Sequence, residues 1–219
     1  TPCGTLFPYT TLFRSIRHLP FFFGKEHDFR TLPVISPSPF RDRFKPLRFE
    51  RPRYRTAIFG GCAMDFIYPE QGEAMLEILK AYRVNVEYPM DQTCCGLPVM
   101  MMGEEATARR TAEQNLKAID PDRYDYIITL CASCGSHLKE NYAKLLGKKG
   151  DLPSKAIKLK EKTIDFSSFL VDVLKVKEKD FKKSGKKTAY HAPCHLCRGL
   201  GVKRSPRELL NTAGLEYVP

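Results

Sequence analysis

Five cysteines, Cys62, Cys94, Cys95, Cys131 and Cys134, are spaced C-x31-CC-x35-C-x2-C. Thiolates are soft ligands suited to iron and sulfide, and a cluster needs several of them brought to one point from distant turns. Two other chemistries would use part of the set. C-x2-C is also half of a structural zinc site, but such a site takes four ligands, usually as two such pairs, and adjacent Cys94 and Cys95 fit that poorly. A redox pair at Cys131 and Cys134 would leave Cys62, Cys94 and Cys95 without a role. Iron–sulfur ligation is the leading reading, with zinc and a redox pair as its alternatives.

Other residues carry weaker signals. His191 and His195 flank Cys194, where a hydrogen-bonding role is commoner than ligation. Cys197 forms C-x2-C with Cys194, but Asp65 stands at the same offset from Cys62, so Cys197 is not read as a ligand. Met100, Met101 and Met102 are read as irregular apolar core filler. Gly61, Gly96 and Gly135 could let the backbone pass close to sulfur and aim N–H groups at it.

The elements that must position these cysteines follow from periodicity. Thr56 to Phe59 is a short apolar run that ends in a Gly-Gly turn on Cys62, and reads as a buried strand. Ala74, Met75, Ile78, Leu79 and Tyr82 recur at helical spacing over Glu70 to Tyr82, with Pro69 at the first turn. Val84 to Tyr88 is the next strand, and Glu104 to Ile119 a helix with Ala106, Ala112, Leu116 and Ile119 on one side. Residues 124 to 130 form a strand leading to Cys131 and Cys134, followed by a helix with Leu138, Tyr142, Leu145 and Leu146. This alternation predicts an α/β fold, a parallel sheet with helices on both faces and site residues in loops at the strands' carboxyl ends.

The remaining segments read differently. Residues 1–15, TPCGTLFPYTTLFRS, resemble translated adapter sequence, so Cys3 is given no role. Residues 16–54 read as a Pro/Arg-rich linker, 55–146 as the first cysteine-rich domain, and 147–186 as a lysine-rich connector with one helix over Phe166, Phe169, Leu170, Val173 and Leu174. Residues 187–219 read as the start of a second, similar domain. Thr188-Ala189 precedes Cys194 by the same interval as Thr56-Ala57 precedes Cys62, an offset of 132 residues, and Glu216-Tyr217 answers Glu87-Tyr88. On that alignment a second Cys-Cys pair falls just beyond residue 219, and the chain reads as truncated.

Composition limits the partners. The chain has 219 residues, 42% of them apolar, with 36 basic and 25 acidic residues giving +11. The lysines lie mostly in the connector without interleaved aromatics, which argues against nucleic acid. No stretch approaches the roughly 20 apolar residues of a membrane helix. Arg14 and Arg17 interrupt the one candidate leader. Eight cysteines, unevenly placed, suit a reducing compartment better than a disulfide scaffold, so a cytoplasmic location is expected.

From Arg55 to about Asp172 the pattern resembles the cysteine-rich CCG domain shared by heterodisulfide reductase subunits, glycolate oxidase iron–sulfur subunits and lactate utilization proteins. TAYHAPCHLCRGLG and PRELL, within residues 188 to 210, resemble the start of a second such domain. The resemblance implies electron transfer through a [4Fe-4S] cluster held by Cys62, Cys94, Cys95, Cys131 and Cys134, with Cys194 the first ligand of an incomplete second site. It implies an oxidoreductase component whose partners are a flavin-containing oxidase subunit and a ferredoxin-type iron–sulfur domain or subunit. No C-x2-C-x2-C-x3-C-P run occurs in this chain to supply the latter. The segments after Cys194 favour the lactate and glycolate group, in a complex passing electrons to quinone at the inner face of the membrane. The alternatives are a heterodisulfide reductase-like catalytic subunit and a zinc-stabilised module.

Overall fold

Strand β1 (Arg55–Phe59) is buried from its second residue onward, the pattern of a central parallel strand covered on both faces. In the computed structural model, which describes residues 33–147, 150–182 and 185–218, β1 lies between β2 (Asn85–Glu87) and β3 (Tyr126–Thr129). A fourth strand, β4 (Thr163–Asp165), joins β3, and every pairing in this four-stranded sheet is parallel. Thr56 stands opposite both Val86 and Tyr126, which puts the ends of β1 and β3, and the cysteines just after them, side by side.

Side chains alternate across the sheet and feed two cores. Ala57, Phe59 and Ile127 pack with helices on one face, and Ile58, Val86 and Ile128 on the other. In chain order the helices are α1 (Phe40–Arg43), α2 (Gly61–Phe66), α3 (Pro69–Ala81), α4 (Leu97–Met101), α5 (Glu105–Ala118), α6 (Ala132–Glu140), α7 (Tyr142–Leu146), α8 (Leu152–Lys162), α9 (Phe166–Ser168) and α10 (Ser205–Thr212). Helix α9 continues as a π-helix over Phe169–Leu174. The first core receives α5 through Ala108, Ala112 and Leu116, α6 through Leu138, α7 through Tyr142 and Leu145, and α8 through Ala156 and Leu159. The second receives Phe40, Met75, Leu79, Phe169, Leu170 and Leu174. The expected α/β fold with helices on both faces is thus present.

Several expectations are corrected. Helix α3 buries Gly72, Met75 and Leu79 while Ala74 is exposed, and α5 buries Ala108 while Ala106 is exposed. In α3 the missing side chain of Gly72 admits the Phe40 ring, whose atoms lie 2.5–2.6 Å from where a Cβ would stand. The described part of the Pro/Arg-rich segment is therefore packed on the domain. Phe40 is fully buried, and Leu47 bridges to Val86 in antiparallel pairing. Asp65, wholly buried on α2, accepts from the Arg41 N–H at 2.9 Å, from its Nε at 2.6 Å and from the Tyr88 hydroxyl at 3.1 Å.

The lysine-rich segment likewise supplies α8, β4 and the π-helix to the sheet and both cores, because its apolar residues are spaced to bury and only its other faces carry lysine. Met101 and Met102 are 73% and 80% exposed, so only Met100 packs against the core. The reading of residues 1–15, Cys3 included, lies outside the described residues.

Residues 187–218 carry a two-stranded parallel sheet arranged like the segment from β1 to β2. Strands β5 (Lys187–Ala189) and β6 (Glu216–Val218) pair in parallel, with Cys194 and a π-helix (His195–Gly199) between them, as Cys62 and α2 lie between β1 and β2. Thr56 faces Val86 and Thr188 faces Tyr217, so the paired strands match Glu87 with Val218, two residues off the alignment by Glu-Tyr. Leu209 joins the second core, and Arg204 and Ser205 both bond Asp172, which ties this unit to the first.

Candidate metal centre

Three loops carry the five cysteines. Cys62 stands in the first turn of α2, directly after β1. Cys94 and Cys95 precede Gly96, whose φ of +91° turns the chain into α4. Cys131 is the N-cap of α6 after β3, and Cys134 lies within that helix. The thiols meet in a chain of pairs. Cys94 is acted on by Cys62 and Cys95, and Cys134 by Cys95 and Cys131, so the five sulfurs influence one another in sequence. Among the described residues no three His, Cys, Asp or Glu side chains are grouped so as to hold a single metal ion. Exposure is graded, with Cys62 open to solvent, Cys94 and Cys131 half-buried, and Cys95 and Cys134 buried.

The electrostatics divide the set. Cys94 is driven strongly toward thiolate by the Cys62 and Cys95 thiols, helped by the Gly96 N–H. Cys131 falls to about 6 through the Cys134 thiol and the N–H groups of Cys134 and Ser133. Cys62 is pushed up by Cys94 and by burial, and Cys134 by Cys131 and Cys95. Two anionic sulfurs fed by neighbouring thiols form a donor set of soft, ionisable ligands at one place.

Buried amides hold the loops in register. Gln92, 2% exposed, accepts from the Gly60 N–H at 2.8 Å and donates to the Ile58 carbonyl at 3.0 Å, tying the double-cysteine loop to the end of β1. Asn115, wholly buried on α5, accepts from the Thr93 N–H at 2.8 Å and donates at 2.9 Å to the Cys94 carbonyl and to the Tyr142 hydroxyl. Tyr142 donates in turn to the Cys95 carbonyl at 2.9 Å. None of these three stands out as a site residue in the sequence. The available signal is a polar residue on an apolar helical face, as Asn115 is beside Ala112 and Leu116.

The glycines divide. A Cβ on Gly61, at φ +61°, would stand 2.8 Å from the Cys134 Sγ, so the backbone there abuts the sulfurs. Gly96 directs its N–H at Cys94. Gly135 serves packing instead. Its N–H is used by the Cys131 carbonyl at 2.9 Å, and a Cβ would strike Thr129 at 2.9 Å and Leu200 at 3.1 Å.

Cys194 is exposed. Its neighbour His195 bonds Ser133 Oγ through Nδ1 at 3.1 Å, the hydrogen-bonding role expected of it. No helix among the described residues is long and apolar enough to cross a membrane.

The model of the cysteine-rich domain CCG matches residues 56–139, the span from β1 to the end of α6. The chain is 36% identical over 166 residues to lactate utilization protein A of Geobacillus sp. (strain WCH70), covering 75% of this chain and 68% of that protein. It is 36% identical over 170 residues to a subunit of the fumarate reductase (CoM/CoB) of Methanothermobacter marburgensis, covering 77% of this chain but only 32% of that one. An uncharacterized iron–sulfur protein of Methanococcus maripaludis is 34% identical over 163 residues, 74% of this chain and 30% of its own length. The chain thus spans from about a third to about two thirds of these relatives. With a matching domain over the site and this degree of identity, the chain belongs to the family of cysteine-rich CCG-domain proteins that includes lactate utilization protein A.

Proposed function

We propose that this chain is an iron–sulfur electron-transfer subunit of a flavin-linked complex that oxidises a 2-hydroxy acid, lactate or glycolate. The observation that carries the proposal is the meeting of Cys62, Cys94, Cys95, Cys131 and Cys134 in one network of thiol contacts at the carboxyl ends of β1 and β3 and on the loop after β2. These five are the ligands proposed for a [4Fe-4S] cluster, and Cys194 the first ligand of a second site. When bound, the cluster supplies one-electron storage at a potential set by charge, solvent exposure and hydrogen bonds to sulfur. The chain's own contribution is to hold the thiolates, to direct the Gly96 N–H at Cys94 and to wall off Cys95 and Cys134 from water. A lactate utilization protein A as relative supports the hydroxy-acid substrate. A flavin-containing oxidase subunit and a ferredoxin-type domain or subunit are the partners, in the cytoplasm at the inner membrane face.

Anaerobic reconstitution with iron and sulfide tests the cofactor. Roughly four of each per chain, with a redox-responsive paramagnetic signal lost in Cys94→Ser and Cys131→Ser, is the expected outcome. About one zinc and no sulfide overturns it. Lactate- or glycolate-dependent reduction of the loaded chain by its flavin partner tests the substrate.

The relative from a fumarate reductase (CoM/CoB) favours a second reading, a heterodisulfide reductase-like subunit that cleaves a disulfide at the five-cysteine site. Reduction of a mixed disulfide by the loaded chain, with no response to hydroxy acid, would select it.

A further inference from the structure

The ring of His137 carries a polar atom that its surroundings leave unsatisfied. His137 is 1% exposed and lies one turn after Cys134, on the same face of α6. Its Nδ1 meets the Asn141 side-chain amide nitrogen at 3.0 Å. An amide nitrogen donates, so Nδ1 accepts and the ring proton sits on Nε2. Nε2 has no hydrogen-bond partner among the described residues, although it is cut off from solvent. Tyr142 packs against the ring edge-on at 5.4 Å between centroids. Burial disfavours a charge on the ring, against the opposing pull of the Cys94 sulfur.

Buried N–H groups in native proteins are almost always paired, and a donor left open beside sulfur ligands indicates an acceptor that belongs to the loaded site. We propose that the Nε2–H of His137 donates a hydrogen bond to a sulfur of the cluster held by the five cysteines, making His137 a positioning residue that sets its reduction potential. This rests on the iron–sulfur reading above. A protonated Nε2 offers no lone pair to iron, so the bond runs to sulfur. A reduced cluster carries one more negative charge than an oxidised one, so a donor to sulfur favours the reduced form and raises the potential. Asn141 is the residue that keeps the proton on the correct nitrogen.

The test uses the full chain reconstituted anaerobically with iron and sulfide. In wild type labelled with 15N-histidine, pulsed electron paramagnetic resonance is expected to show one weakly coupled nitrogen and an exchangeable proton. His137→Phe should lose both signals and shift the potential to a more negative value, and His137→Gln should recover part of the shift. An unchanged potential in a loaded His137→Phe overturns the assignment, as does a nitrogen coupling strong enough for direct ligation. If His137→Phe fails to fold, the wild-type spectrum alone decides, since absence of the exchangeable proton also overturns it. A preparation with no iron or sulfide refutes the cluster itself and, with it, the acceptor, an outcome distinct from the others.

Discussion

The side-chain nitrogen of Asn115 donates to the main-chain carbonyl of Cys94 at 2.9 Å, from a position with no solvent exposure. The same nitrogen reaches Tyr142, whose hydroxyl holds the carbonyl of Cys95. The orientation of the double-cysteine turn is therefore imposed from within the helical layer, by side chains that bond its carbonyls and leave its sulfurs free.

Asn115→Leu should strip partners from the Cys94 carbonyl and the Thr93 N–H together, and lower stability by about 2–4 kcal/mol, since a buried polar group left unpaired costs about 1–3 kcal/mol. Tyr142→Phe removes one donor and should cost about 1–3 kcal/mol. Urea unfolding measures both. A loss below about 0.5 kcal/mol for Asn115→Leu would mean that these groups find other partners.

Gly61→Ala places a methyl group against the Cys134 sulfur at a left-handed backbone position, and should abolish iron and sulfide retention. Gly135→Ala meets Thr129 and Leu200 instead, and should weaken the seating of the second unit more than it weakens loading. Iron content and protease sensitivity of the two variants distinguish these effects. Equal iron loss in both would remove the distinction.

In chain freed of metal, Cys131 should be alkylated by iodoacetamide with half-maximal rate near pH 6, whereas an ordinary thiol requires pH near 9. The sign for stability follows from the depressed value. The contribution of Cys131 is complete above its unfolded pKa and is lost as pH falls through about 6. Mass mapping of the modified peptide at several pH values gives the midpoint, and one above 8 would show that the Cys134 contact is not kept.

Arg41→Met leaves the wholly buried Asp65 without its cationic partner and should cost about 3–5 kcal/mol, the penalty of an uncompensated buried charge. Asp65→Asn in the same background should restore part of it. The pair of measurements forms a double-mutant cycle, and strict additivity would contradict a direct interaction.

The strand-and-helix order around the five cysteines was legible because apolar period and glycine turns coincide there, as at Thr56 to Cys62. The roles of residues 33–54 and 150–165 were not, because single anchors such as Phe40 carry no period among prolines and arginines, and the apolar face of Ala156 and Leu159 is narrow among lysines. Met101 and Met102 face solvent where core filler was expected, because hydrophobicity alone does not say which way a short helix faces. Gln92, Asn115 and Tyr142 act through hydrogen bonds to carbonyls that only folding brings near, 34 residues away for Ile58, 21 for Cys94 and 47 for Cys95, so no local pattern announces them.

The gradient from open Cys62 to enclosed Cys134 also gives the thiols, when they hold no metal, an order of damage. An oxidant arriving from solvent meets the open Cys62 thiol and the Cys94 thiolate it acts on before the enclosed sulfurs, so a disulfide between those two is the expected first lesion. That bond spares Cys95, Cys131 and Cys134 and is reversible by thiol exchange, whereas over-oxidation of a lone exposed thiolate is not. On that expectation the outermost pair would act as a fuse for the inner three.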